Sequence, residues 1–163
     1  MKNNLKLFLI IFVSLSVTRF IPHPPNFTSL IALSFYVPAL LGIRYIPLVI
    51  FSFALSDIFI GFHQTLLFTW GSVLIIGFLA NYFNRNLISR VSGSFIGAVI
   101  FYLITNFGVW TSGYYGYSFN GLITSYFAAI PFFGYTIIST FIFGILIEFI
   151  YKFYRSINIL GYK

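Results

Sequence analysis

The chain has 163 residues, 60% of them hydrophobic and 7% charged, with a formal net charge of +7 and a mean hydropathy of +0.98. A soluble domain carries about 25% charged residues, so this composition excludes a water-facing globular surface, and the absence of cysteine excludes disulfides and thiolate metal sites. The basic residues stand singly between apolar runs, a pattern of topology signals for a lipid bilayer rather than a tract for nucleic acid.

At about 20 residues per crossing, one transmembrane helical domain covering 1–163 accommodates about six spans. Lys2 and Lys6 precede an apolar run that looks like the start of a signal peptide. No A-x-A-like site follows, and the run meets Arg19 and the rigid Pro22-His23-Pro24-Pro25. The spacing therefore predicts a retained first span, Leu5 to Phe20, with a cleaved peptide as the alternative. Span two runs from Phe27 to Ile43, with Pro38 as a kink site. Span three is Tyr45 to Phe62, with Pro47 in its first turn. Span four is Thr65 to Phe83, and Asn84-Arg85-Asn86 with Arg90 forms the next loop. Span five is Val91 to Trp110, followed by a Gly-, Tyr- and Ser-rich stretch. Gly121 to Ile130 reads as a short interfacial or re-entrant helix stopped by Pro131. Span six is Phe132 to Tyr154.

Orientation follows from lysine and arginine. With six spans, one side receives both termini, the two-three loop and the four-five loop. These hold Lys2, Lys6, Arg44, Arg85, Arg90, Lys152, Arg155 and Lys163, eight of the nine basic residues. By the positive-inside rule both termini are cytoplasmic, in a multi-pass protein of the cell (inner or plasma) membrane.

Charged side chains at membrane depth cost about 2.5–3.5 kcal/mol on insertion scales, so each needs a reason. Asp57 lies about 18 Å into span three from its cytoplasmic start, at 1.5 Å per residue. Arg19 lies near the outer end of span one, where it either snorkels to headgroups or serves a pocket. Asn106 falls in the outer part of span five, His23 and Asn26 in the first outer loop, His63 in the second, and Trp110 with Tyr114, Tyr115 and Tyr117 in the third. Asn106 can also bond a neighbouring helix, and Trp110 with the tyrosines can also form an interfacial belt. The cytoplasmic half retains only loop charges and Glu148, which pairs with Lys152 at i,i+4.

Polar groups converging on one mouth of an apolar bundle point to a pocket open to the outside. A channel or proton pump should carry polar residues through its whole thickness. Gly93 and Gly97 form a G-x-x-x-G that permits close helix approach. No H-E-x-x-H, P-loop, carboxylate pair or G-x-S-x-G occurs, so an enzyme, a metal and a cofactor are not expected.

Several segments resemble a family of small, uncharacterised bacterial membrane proteins. They are Arg19-x-x-Pro22-His23-Pro24-Pro25-Asn26-Phe27, Ser56-Asp57 with Gly61 and His63, Thr105-Asn106-Phe107-Gly108-Val109-Trp110, and Ala129-Ile130-Pro131-Phe132-Phe133. More distantly, the size, six-span layout and inside termini are similar to the substrate-binding S components of energy-coupling factor (ECF) vitamin transporters. Many of those carry A-x-x-x-A in span one, where this chain has Ser14 and Thr18. That resemblance implies capture of a vitamin-like nutrient from the outer side, with an ECF-type coupling protein and ATPases as partners. In that reading Arg19 makes the charge-assisted contact, Asp57 orients Arg19 or accepts from the ligand, His23, Asn26, His63 and Asn106 add hydrogen bonds, and Trp110 stacks on a ring. The alternative is a non-transporting accessory or assembly subunit of a larger membrane complex.

Overall fold

The computed structural model describes residues 2–160, with side chains described from Asn4 to Ser156; Lys163, used above for orientation, lies outside them. The described residues form seven α-helices: α1 (Lys2–Phe20), α2 (Leu30–Leu41), α3 (Ile46–Ile60), α4 (Leu66–Leu79), α5 (Leu87–Thr111), α6 (Phe119–Ala128) and α7 (Ile130–Leu160). Single 3-10 turns precede α3 and follow α4.

Local chemistry sets the helix ends. Gly42, at φ 109°, closes α2, and its N–H donates to the Pro38 carbonyl at 3.0 Å. Gly61, at φ 106°, closes α3 in the same way on the Asp57 carbonyl at 2.8 Å. Both are left-handed conformations that favour glycine. Asn86 caps α5 by accepting from Ser89 N–H at 2.8 Å, so this helix starts before the expected Val91. Ser118 caps α6 through Gly121 N–H at 3.1 Å. Pro131 sits in the first turn of α7, where its missing N–H breaks no bond; it opens α7 as well as following α6.

Among the described residues four helical segments are long and apolar enough to cross a membrane: Ile43–Ile60, Leu66–Phe83, Leu87–Thr111 and Ile130–Ser156. The shorter α2 is apolar but has only 12 residues, about 18 Å at 1.5 Å per residue. In α1 the apolar run is bounded by Lys6 and Arg19 and diluted by Ser14, Ser16 and Thr18.

Centrally placed, α2 is buried without a break from Leu30 to Pro38 and packs against α3, α4, α5 and α7. A helix apolar all round belongs inside a bundle, which explains its missing amphipathic face. On the flank, α1 lies along α3. The N-terminal end of α2 is tied to α1 by Ser29, which donates through Oγ to the Ser14 carbonyl at 3.2 Å and through N–H to Thr18 Oγ1 at 3.2 Å. Ser14 and Thr18, at the spacing of the S-component contact motif, are thus spent on an internal contact.

The G-x-x-x-G of α5 is also filled from within the chain. A Cβ on Gly93 would lie 2.5 Å from the Phe83 Cβ and 2.6 Å from the Phe35 ring, and one on Gly97 would lie 3.2 Å from Ile76. Outward faces carry large apolar side chains such as Leu67 (78% exposed) and Ile145 (68%), the surface a bilayer would cover.

Gly93→Leu is expected to lower stability by about 1–3 kcal/mol through overpacking against Phe35 and Phe83. Gly134→Ala, with open space around it, serves as the control. Detergent-titrated unfolding followed by circular dichroism reads both, and equal midpoints would remove the proposed α2–α5 contact.

Candidate functional site

A carboxylate deep in an apolar helix must find cations or donors, because its charge is otherwise uncompensated. Asp57, in the last turn of α3, is fully buried. Since α1 lies along α3, Arg19 reaches it: Arg19 Nη2 donates to Asp57 Oδ1 at 2.6 Å. The other oxygen, Oδ2, accepts from Trp70 Nε1 of α4 at 2.7 Å. Arg19 Nη1 also donates to Ser56 Oγ. Beneath the guanidinium lies the Phe53 ring, its centroid 4.7 Å away, within cation–π range.

A guanidinium has five N–H donors. Two are committed to Asp57 and Ser56, leaving three, and Arg19 borders a cavity of about 470 Å³. Its side chain is 13% exposed, so it is mostly desolvated yet reachable. His23, Asn26, His63 and Asn106 line the same cavity. Thr65, Thr69 and Thr105 add hydroxyls, while Phe101, Tyr102, Phe132 and Phe133 supply aromatic wall.

Two of the seven expected residues stand apart from this lining. Asp57 lies behind Arg19, off the cavity wall, with both carboxylate oxygens engaged, the placement of a residue that orients Arg19. Trp110 is not on the wall; its Nε1 donates to the Ser118 carbonyl at 3.1 Å and fastens the α5–α6 connection. Tyr102 and Phe133, which do line the cavity, have ring centroids 4.6 Å apart.

The backbone explains how the loop residues arrive. Asn26 adopts φ 63°, a left-handed turn that asparagine tolerates, between Pro25 and Phe27. His23 Nδ1 meets the Pro24 carbonyl at 2.7 Å, and His63 Nδ1 meets Thr65 Oγ1 at 3.0 Å. Asn106 Nδ2 donates to the Tyr102 carbonyl at 2.7 Å, which leaves its amide oxygen as the free polar end. Short α6 closes one side, held to α5 by Tyr102 Oη donating to the Tyr126 carbonyl at 2.7 Å and Tyr126 Oη donating to Leu103 at 2.8 Å.

Sequence reasoning missed Trp70, Ser56 and Phe53. Trp70, in the second turn of α4 between Thr69 and Gly71, carries no sign of a carboxylate partner thirteen residues away. Ser56 adjoins Asp57, which was a usable signal. Among the described residues no group of three metal-ligating side chains forms.

The chain matches the model of a family of unknown function (DUF6580) over residues 1–158 and belongs to that family. No curated protein and no solved structure matches it.

Asp57→Ala strands the buried Arg19 charge and is expected to destabilise the fold by about 3–5 kcal/mol. The double substitution R19M/D57L should recover most of that loss. Thermal unfolding in mild detergent measures both, and an unshifted Asp57→Ala midpoint would show that the pair contributes nothing to stability.

Proposed function

We propose that this member of a family of unknown function is a membrane-embedded uptake protein that captures a small polar or anionic, vitamin-sized nutrient from the outer side of the cell membrane. The observation that carries this reading is the cavity of about 470 Å³ on whose wall Arg19 presents uncommitted donors. The volume suits a small molecule. Asp57 and Trp70 hold the guanidinium still before any ligand arrives, which reduces the ordering cost of binding. A carboxylate or phosphate oxygen would accept from Arg19, while His23, His63 and Asn106 satisfy other polar groups and the aromatic wall covers the apolar part.

Support for the orientation comes from the two ends of the bundle. Residues at the start of α2, the end of α3, the start of α4 and the late part of α5 border the Arg19 cavity. Residues at the end of α2, the α4–α5 connection, the start of α5 and the late part of α7 border a second, basic cleft. In this reading α1 to α5 and α7 make six crossings, α6 lies at the outer surface, and both termini are cytoplasmic with the basic cleft. Release into the cell would use an ECF-type coupling protein and ATPases. Because the Ser14 carbonyl and Thr18 Oγ1 are engaged by Ser29 at the start of α2, α1 would meet such a partner through other residues.

Native mass spectrometry of protein gently extracted from its own membranes should show a bound non-lipid small molecule. Arg19→Ala and the double variant R19M/D57L should each lose it, with the double variant keeping wild-type helix content. A stoichiometric protein partner without a small molecule, or an unchanged ligand in both variants, would sink the uptake reading in favour of an accessory subunit.

The cysteine-free chain allows a direct topology check. Tyr114→Cys, between α5 and α6, should react with a membrane-impermeant maleimide on intact cells, and Arg44→Cys, between α2 and α3, should react only after lysis. The reverse pattern would invert the proposed orientation.

A further inference from the structure

The chain has nine basic residues and only two acidic ones, Asp57 and Glu148. Each carboxylate is already engaged by an arginine. Glu148, on α7 and 4% exposed, accepts from Arg90 Nε at Oε1 and from Arg90 Nη2 at Oε2, the latter at 3.0 Å. Arg90 Nη1 also donates to the Asn84 carbonyl at 3.1 Å. This bidentate pair, rather than the Glu148–Lys152 pair expected from spacing, ties α5 to α7 at the end of the bundle remote from Arg19.

Around it opens a cleft of about 790 Å³, bordered by Arg85, Lys152 and Arg155 as well as the Arg90–Glu148 pair. Lys152 and Arg155 stand four and seven residues after Glu148, on one face of α7. Arg85 approaches from the α4–α5 connection. Among the described residues none of the three makes an ion pair, and no carboxylate side chain in the chain remains to neutralise them. The capped start of α5 adds the positive end of a 25-residue helix to the same cleft. No uncommitted acidic side chain is available to supply the counter-charge.

From this geometry we infer that the cleft is a binding site for a phosphate-bearing anion, the headgroup of an acidic phospholipid in the leaflet at that end of the bundle. Exposed apolar side chains lie close to the basic ones in sequence: Phe149 and Phe153, stacked at 6.3 Å on α7, and Ile88 on α5. A lipid offers both halves of the match, a phosphate for Arg85, Lys152 and Arg155 and acyl chains for the apolar flank. Free phosphate or a soluble anion uses only the first. The site is separate from the Arg19 cavity, so this inference stands or falls independently of the uptake reading.

The test uses the intact protein in mild detergent with equimolar phosphatidylglycerol and phosphatidylcholine of identical acyl chains, read by native mass spectrometry. Wild type should retain phosphatidylglycerol about 10–100-fold over phosphatidylcholine, consistent with roughly a few-fold gain per basic residue near a lipid surface. The preference should collapse in R85Q/K152Q/R155Q and weaken in Lys152→Gln alone, which guards against failure of the triple variant to fold. Arg44→Gln, outside the cleft, should keep it in full. Equal retention of the two lipids by wild type, or an undiminished preference in the triple and single variants, overturns the site. Displacement of the lipid by roughly a hundredfold excess of inorganic phosphate assigns the cleft to a free anion and overturns the lipid reading.

Discussion

A fully buried carboxylate inside an apolar bundle is the constraint that organises one end of this protein. Asp57 cannot reach water, so the fold must bring donors to it. Arg19 comes from α1 and Trp70 from α4, and one side chain on α3 thereby joins three helices. Neutral bonds between the same helices would exert a weaker demand, since leaving one unmade costs less than stranding a charge. The pair also fixes where Arg19 points, and with it the character of the adjoining cavity.

The same device recurs at the opposite end. Glu148 on α7 takes Arg90 of α5 in a bidentate grip. The chain thus uses its whole complement of acidic side chains as two clamps, one at each end of a core built on α2. Between the clamps the interior is held by close packing, with Gly93, Gly97 and Gly144 allowing aromatic or branched neighbours to approach. The two buried carboxylates and their arginines therefore mark two regions with different characters. The first presents one guanidinium amid histidines, an asparagine and aromatic rings. The second presents excess positive charge beside apolar side chains. That division fits a protein that meets a small ligand at one face and lipid phosphate at the other.

Much of the candidate site was legible from residue depth alone. Arg19, His23, Asn26, His63 and Asn106 were placed at one mouth by counting positions along apolar runs, and they border one cavity. Counting could not say which side chains face inward. Trp110 sits at the right height but turns to the Ser118 carbonyl, whereas Trp70 lies deeper and meets the carboxylate. Glu148 and Lys152 have ideal spacing for an i,i+4 pair, yet a buried carboxylate gains more from a forked guanidinium on α5 than from an exposed ammonium on its own helix.

The sequence by itself determined the helical, membrane-type character, the approximate runs and the segregation of charge toward helix ends. Those properties are local: hydropathy, spacing and punctuation by Gly and Pro act within a few turns. Tertiary structure alone decided that α2 is central, that Pro131 opens a helix, and which arginine each acidic residue takes. It also decided that three basic residues share a cleft without an ion-pair partner among the described residues. Such pairings join positions 38 and 58 residues apart, and their identity depends on helix rotation and crossing, which an apolar pattern on nearly every face leaves unspecified.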